Sequence, residues 1–135
     1  KIPFVGTACA VAGHILVDRS NPRPAMESLT YIKAQLHDGI STVIFPEGTR
    51  TKTGEMGRFK AGAFKIAMDM ELPVVPITLK GFYEAMPRGK AFANPRSRVS
   101  LHIGKPIDIS QFNDINEAMA TVREKVAEGL SKPLS

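Results

Sequence analysis

The sequence has very little cysteine, since Cys9 is the only one among its 135 residues. A single thiol excludes an intramolecular disulfide framework and a metal site built from several cysteines. The neighbours of Cys9 are small or apolar, which favours a small core residue over a reactive thiol. This cysteine usage is typical of a protein from a reducing compartment.

The sequence also lacks an apolar run long enough to cross a membrane. Residues 2–17 carry no formal charge, but a spanning helix needs about 20 apolar residues, and Pro3, Gly6 and Gly13 interrupt this stretch. We therefore predict no transmembrane span. No basic leader with a cleavage site is evident either, so we expect the chain to begin inside a domain that is truncated at its N-terminus.

Three motifs of well-known enzyme classes are missing from the sequence. It contains no Gly-Lys-Ser/Thr phosphate loop, no Gly-x-Ser-x-Gly nucleophile elbow and no His-Glu-x-x-His metal motif. These absences weigh against a P-loop NTPase and an elbow-type serine hydrolase, and we predict no metal site. We interpret the three histidines, His14, His37 and His102, as structural, because their predicted positions are a strand start, a helix end and the polar face of a strand.

What remains is an ordinary globular composition with a modest positive charge. Hydrophobic residues make up 43% of the chain and charged residues 23%, and the length suits one domain, predicted over residues 1–135. The formal net charge is +5. An excess of this size fits an anionic ligand, an anionic membrane surface or weak nucleic-acid binding, and selects none of them.

Predicted strands alternate with predicted helices along the chain, which favours an α/β fold. We predict a single layered domain with a largely parallel, mixed sheet flanked by helices. The last strand alternates apolar and polar residues, which predicts a half-buried strand with Val99, Leu101 and Ile103 on one face. The predicted helices span residues 25–36, 60–68 and 115–130, with Asp114 as the last N-cap, and the predicted strands span 14–18, 42–45, 73–79 and 98–103.

The strongest functional signal is the string FPEGTR over residues 45–50, because it follows a predicted strand and ligands of open α/β sheets bind outside the carboxyl ends of strands. The proline ends the strand, Glu47 turns outward, and Gly48 allows the backbone to approach a ligand closely. Thr49 supplies a hydroxyl, and Arg50 offers a planar set of donors that suits phosphate. A strand-to-loop turn with a surface ion pair is the alternative.

Two further cations are candidates to join Arg50 at an anion. Lys60 begins the predicted helix after the loop, and the backbone N–H groups of a helix N-terminus favour a bound anion. Arg19 ends an earlier predicted strand. If that strand neighbours the one before Arg50, the two guanidinium groups converge on one phosphate. A solvated lysine at position 60 and a surface pair of Asp18 with Arg19 are the alternatives.

Residues 80–105 combine basic and apolar side chains, with six basic residues against one acidic residue. This mixture suits an anionic lipid surface, and it also suits a nucleic-acid platform, although the aromatic pattern of an RNA-recognition motif is missing. A solvated loop that covers the sheet is the third reading. The basic residues are Lys80, Arg88, Lys90, Arg96, Arg98 and Lys105, the acidic one is Glu84, and the apolar ones include Phe82, Tyr83, Met86 and Phe92.

Three segments together resemble motif blocks of the glycerolipid acyltransferase family, of the lysophosphatidic-acid-acyltransferase type that makes phosphatidic acid. GHILVDR over residues 13–19 is similar to the family's second block, FPEGTR over 45–50 with FKAG over 59–62 to its third, and VPI over 75–77 to its fourth. The first block, a His followed five positions later by Asp, is missing, because no histidine here has Asp at that spacing. That block supplies the general base and lies upstream in the family, so the resemblance implies a catalytic His and Asp before Lys1.

The resemblance implies transfer of a fatty acyl group from acyl-CoA or acyl-carrier protein to the hydroxyl of a glycerol-phosphate or lysophospholipid acceptor. It implies no cofactor beyond the thioester co-substrate, no nucleic-acid partner, and a peripheral position at an anionic membrane surface on the cytoplasmic face. Without the general base, these residues alone are expected to be inactive. A non-catalytic module that binds phospholipid headgroups is the alternative function.

The resemblance also implies a role for each motif residue. Cations would hold the phosphate of the acceptor, and Glu47 would hold its glycerol hydroxyls. Pro76, which has no N–H to donate, is expected at a strand start, an edge or a bulge. The substrate-binding residues implied are Arg19, Glu47, Gly48, Thr49, Arg50 and Lys60, and the site-shaping residues implied are Pro46, Gly62 and Pro76.

Overall fold

The computed structural model describes residues 22–87, 89 and 94–133. The chain divides into two compact units, residues 1–43 and 44–135. The predicted strand over residues 14–18 lies outside the described residues, as do Cys9 and His14.

The described part of the first unit is a single helix, α1, over Pro22–His37. It confirms the helix predicted over residues 25–36. After the helix the chain turns at Gly39, whose N–H donates to the carbonyl of Leu36 at 3.1 Å and whose φ is 80°. A residue in this left-handed conformation ends many helices, and glycine adopts it without steric cost.

The second unit contains two longer helices, a short helix and a two-stranded sheet, which confirms the α/β class. The strands pair antiparallel with Ile77 opposite Ile103, and an isolated antiparallel bridge between Val74 and Ile107 continues the pairing. The elements in chain order are α2 (Gly62–Asp69), β1 (Ile77–Lys80), α3 (Phe82–Ala85), β2 (Ser100–Ile103) and α4 (Ile115–Ser131).

The predicted sheet is only partly present in the described residues. Its two strands are antiparallel, so the parallel arrangement is not seen in this part of the chain. The segment predicted as a strand over residues 42–45 pairs with no described strand, and its predicted neighbour over residues 14–18 lies outside the described residues, so this strand stays a prediction. A strand persists only where a neighbouring backbone takes up its N–H and C=O groups. The strands predicted over 73–79 and 98–103 are confirmed in the shorter forms of β1 and β2.

The core of the second unit lies between α2, α4 and the segments that precede them. The rings of Phe59 and Phe64 stack with their centroids 6.3 Å apart, and Ile109 is 0% exposed. Residues at helical spacing supply the remainder, so the apolar stripes predicted for the two helices are confirmed. The buried cluster consists of Phe59, Phe64, Ala67, Ile109, Ala118 and Val122.

Helix α4 begins where the sequence predicts. The carboxylate of Asp114 accepts a hydrogen bond from the backbone N–H of Asn116 at 3.0 Å, which confirms Asp114 as the N-cap. Only one stripe of α4 is buried. Across the described residues, no helix combines the length and the hydropathy that crossing a bilayer requires.

The buried face of the sheet is the opposite of the expected one. Leu101 and Ile103 are both 59% exposed, whereas Ser100 and His102 are half-buried. The alternation in β2 is confirmed, but the inference that its apolar side is covered is wrong. The reason lies in β1, where the buried hydroxyl of Thr78 donates to the carbonyl of Val126 in α4 at 2.9 Å. Because this polar group has a partner, the polar face is the one that packs against the helix.

Close approach of α4 to the sheet depends on Gly129. A Cβ atom at this position would lie 2.8 Å from the Cβ of Thr78 and closer still to its Oγ1. Real Cβ atoms do not approach neighbours so closely, so any side chain here would push the helix away from β1.

We therefore expect Gly129→Ala to lower the free energy of unfolding by about 1–3 kcal/mol, as overpacked cores do. A loss of stability would identify the steric clash as the cause, because alanine is the better helix former by roughly 1 kcal/mol and would otherwise stabilise α4. Urea denaturation followed by circular dichroism measures the change. Gly62→Ala in α2 is the matched control, since nothing lies within 4 Å of its added Cβ, and it should be neutral or stabilising. Equal stability of Gly129→Ala and the wild type would contradict the packing argument.

Candidate functional site

The segment 45–50 begins with a β-turn. The N–H of Gly48 donates to the carbonyl of Phe45 at 3.0 Å, and the φ of Gly48 is 73°. Proline is favoured at the second position of such a turn because its φ is fixed, and glycine at the fourth because it accepts a positive φ. The turn therefore explains Pro46 and Gly48 by backbone conformation, before any ligand is considered.

The carboxylate of Glu47 closes the loop that follows the turn. Its Oε2 accepts a hydrogen bond from the backbone N–H of Gly57 at 2.9 Å. A Cβ atom on Gly57 would lie 2.8 Å from the same oxygen, so a larger residue would displace the carboxylate. A carboxylate offers about four acceptor positions, so this hydrogen bond leaves capacity for the hydroxyl groups of a ligand.

Two further sets of hydrogen bonds shape the loop. The backbone N–H of Lys60 donates to the carbonyl of Pro46 at 2.9 Å, which brings the end of the loop back to its start. Within the loop, the hydroxyl of Thr51 accepts from the N–H groups of Thr53 and Gly54 at 3.2 and 3.1 Å. A hydroxyl that takes up backbone donors in this way stabilises a tight turn.

The loop encloses a cleft of about 310 Å³, which we call the loop cleft. Carboxylate, hydroxyl and cationic groups line it together, and the three cations outnumber the two carboxylates. This combination suits a ligand that carries both a phosphate and hydroxyl groups. The polar residues that matter most are Glu47, Thr49, Arg50, Lys52, Glu55 and Arg58.

The guanidinium of Arg50 is oriented by the backbone of a distant segment. Its Nη1 donates to the carbonyl of Met86 at 3.3 Å. Nearby, the hydroxyl of Tyr83 donates to the carbonyl of Lys52 at 3.2 Å. A guanidinium has five N–H donors, so one contact to a carbonyl leaves several for an anion.

The predicted site residues are only partly brought together. Glu47, Thr49 and Arg50 line the loop cleft, whereas Lys60 does not. The start of α2 at Gly62 also means that the helix begins two residues after Lys60, so the prediction that Lys60 opens the helix is wrong. Arg19 lies outside the described residues, and its convergence with Arg50 stays a prediction.

Pro76 lies apart from the loop cleft, at the start of β1. It is buried, and its carbonyl accepts from the N–H of Gly104 at 2.9 Å. The position confirms the expectation that a residue without an N–H sits at a strand start. Its role in shaping a site stays a prediction, as does that of Gly62.

Sequence reasoning gave no role to two cations of the loop cleft, Lys52 and Arg58. The signal in the sequence is that both lie in the same glycine-containing loop as Arg50. The loop therefore carries more positive charge than the FPEGTR motif alone indicates. The part of the chain that the structure describes contains no group of three or more His, Cys, Asp or Glu side chains that could hold a metal ion.

The family model of the acyltransferases matches residues 1–80. The matched span includes the turn at 45–48, the Glu47 carboxylate and every residue of the loop cleft.

Curated relatives carry the name 1-acyl-sn-glycerol-3-phosphate acyltransferase. A chloroplastic one from Arabidopsis thaliana is 38% identical over 130 residues, which is 96% of this chain and 35% of the relative. One from Pseudomonas aeruginosa is 42% identical over 77 residues, which is 56% of this chain and 30% of the relative. The chain thus spans about a third of the length of these relatives.

A solved structure also resembles the chain. The crystal structure of the 1-acyl-sn-glycerophosphate acyltransferase PlsC from Thermotoga maritima matches with a TM-score of 0.80 and 29% identity, over 96% of this chain and 51% of that one. The family match covers more than half of the present sequence and contains the loop whose geometry is described above. The chain therefore belongs to the acyltransferase family.

Proposed function

We propose that this chain supplies the acceptor-binding part of an O-acyltransferase of phospholipid biosynthesis. The enzyme transfers a fatty acyl group from acyl-CoA or acyl-carrier protein to the hydroxyl of a glycerol-phosphate or lysophospholipid. One observation carries the proposal: the loop cleft holds the Glu47 carboxylate, fixed by the Gly57 N–H, in the same space as the guanidinium groups of Arg50 and Arg58. The names of the relatives support the choice of acceptor.

In this proposal the cations of the cleft bind the phosphate of the acceptor. Arg50 presents a planar fork that matches two phosphate oxygens, and Arg58 adds a second positive charge. We propose that Lys60, which lies outside the loop cleft, and Arg19 contribute as well. Glu47 accepts hydrogen bonds from the glycerol hydroxyls, which distinguishes a glycerol phosphate from inorganic phosphate. Fixing the acceptor in this way can lower the barrier by several kcal/mol, because the reacting hydroxyl is already oriented.

The chemical step requires a base. The acceptor hydroxyl gives up its proton, its oxygen bonds to the thioester carbonyl carbon, and the carbon–sulfur bond breaks to release a thiol. None of the described residues that line the cleft is a histidine. We propose that the His and Asp that take the proton lie outside residues 1–135, and that the protein works peripherally at the cytoplasmic face of the membrane that holds its lipid acceptor.

The same observation favours a second function. A cleft with phosphate-binding cations, and with no histidine among the lining residues that the structure describes, suits a module that binds phospholipid headgroups without catalysis. The two functions share the binding site and differ in turnover once a base is supplied.

Arg50→Ala should weaken binding of glycerol 3-phosphate by about tenfold, since hydrogen bonds to charged groups contribute about 1.5–3 kcal/mol and exposure reduces this. Isothermal titration calorimetry on residues 1–135 measures the affinity, and in a catalytically complete enzyme the same change should raise the KM for the phosphorylated acceptor. Arg96→Ala is the matched control, because Arg96 is exposed and lines no part of the loop cleft. An equal loss in both variants would remove Arg50 from the site.

Gly57→Ala should weaken glycerol 3-phosphate binding by roughly fivefold while leaving inorganic phosphate binding unchanged. The physical reason is that the added Cβ displaces the Glu47 carboxylate, so a hydrogen bond to a glycerol hydroxyl, typically about 1 kcal/mol, is lost. Glu47→Gln, which keeps the shape and removes the charge, should show the same selectivity. If both ligands lose affinity equally, the carboxylate does not recognise the hydroxyls.

Residues 1–135 alone should show no acyl transfer above a rate about 10²–10⁴-fold below that of an enzyme with its general base in place. The assay combines the purified chain with acyl-CoA and lysophosphatidic acid and measures thiol release. A chain that turns over at an ordinary enzymatic rate would show that the base lies within these residues.

A further inference from the structure

Helix α3 exposes its apolar side chains instead of burying them. Phe82 is 43% exposed, Tyr83 37% and Met86, which follows the helix, 45%, and no residue of the helix is buried. Phe82 and Met86 are four positions apart, so they lie on the same side of the helical turn. A cluster of three adjacent exposed apolar residues calls for a partner surface, whereas scattered ones do not.

The helix packs against the loop cleft on one side. The ring of Tyr83 would lie 3.2 Å from a Cβ on Gly54, and its hydroxyl donates to the carbonyl of Lys52. The carbonyl of Met86 accepts from the guanidinium of Arg50. The exposed apolar cluster is therefore fixed beside the guanidinium of Arg50 and the backbone of Lys52.

A second cleft lies beside the start of α3. It has a volume of about 320 Å³, and its described lining includes the cations of Lys80 and Arg98 and the carboxylate of Glu84. The backbone is close here, because a Cβ on Gly81 would overlap the carbonyl of Arg98. The Nζ of Lys80 also donates to the carbonyl of Lys132, so one of its three donors is already used.

We propose that Phe82 and Met86, together called the α3 anchor, insert into the surface of an anionic phospholipid bilayer while Tyr83 holds α3 against the loop and the cations of the two clefts contact the headgroups. Short elements with an apolar centre and flanking cations bind such surfaces, because apolar burial and attraction to anionic lipid add together. The inference rests on the proposed function in one respect. If the acceptor is a lipid, the anchor holds the loop cleft at the membrane surface where that acceptor resides.

Charge and shape together select a bilayer over the other anionic partners. The cations around α3 favour an anionic surface over a neutral or a basic one. Among polyanions, single-stranded nucleic acid binds through stacking on planar rings, which the unbranched side chain of Met86 cannot provide. A thioether chain next to a phenyl ring instead mixes readily with acyl chains.

The sequence contains no tryptophan, so one substitution creates a unique fluorescent probe. In Phe82→Trp, the emission should shift to the blue and become shielded from iodide when vesicles of phosphatidylcholine and phosphatidylglycerol are added, and vesicles of phosphatidylcholine alone should have no effect. Leu101→Trp is the control, because Leu101 is more exposed than Phe82, at 59% against 43%, and lines neither cleft. A shift in the control as large as that at position 82 would overturn the assignment of the surface.

Vesicle co-sedimentation of variants of the 135-residue chain measures the contributions of apolar burial and of positive charge separately. The pair Phe82→Gln and Met86→Gln should weaken binding by at least about tenfold through lost apolar burial, and Leu101→Gln should leave it unchanged. Arg98→Gln should weaken binding by about fivefold, and added salt should weaken the wild type further. Circular dichroism verifies that each variant is folded.

Three outcomes would overturn the proposal: no binding to anionic vesicles, equal binding to neutral ones, or binding to single-stranded DNA that depends on Phe82 while vesicle binding is absent. Vesicle binding is measured without acceptor or thioester, and the acceptor affinity of the loop cleft is measured without vesicles. Failure of the anchor and failure of the proposed function are therefore separate results.

Discussion

The hydrogen bond from the Gly57 N–H to the Glu47 carboxylate is the interaction on which the functional loop depends. It joins two points ten positions apart and so turns an exposed segment into the wall of a cleft. The same bond decides where the negative charge of Glu47 lies relative to Arg50 and Arg58. Without it, a carboxylate would be free to pair with those guanidinium groups, and the cleft would neutralise the charge that it offers to an anion.

This loop is attached to the hydrophobic core through Phe59, and Met56 packs against the same core. The Lys60 N–H closes the loop onto the Pro46 carbonyl, and Phe59, immediately before it, is buried against Phe64 of α2. The site is thus a surface loop that is anchored in the packed interior by Phe59. Rigid attachment of this kind is what lets a loop hold polar groups at fixed separations.

The sequence predicts local structure well and the pairing of surfaces poorly. The cap at Asp114, the turn at Pro46 and the stripes of the long helices depend on neighbouring residues, so their signals are complete within a few positions. Which face of β2 is covered depends on α4, about 25 residues away, and on a partner for the Thr78 hydroxyl that only the folded chain reveals. For the same reason the FPEGTR string identifies Arg50, but the place of Arg58 in the cleft becomes visible only when the loop is closed.

The contact between Arg50 and position 86 is made to a main-chain carbonyl. Every amino acid carries that oxygen, so the alignment of the guanidinium is indifferent to which side chain occupies the position. The outward-facing side chain at position 86, which we propose as part of the α3 anchor, can therefore change without disturbing the arginine behind it. Met86 thus orients Arg50 through its main-chain carbonyl, whereas its side chain faces outward. A substitution at this position changes only the second of these contributions.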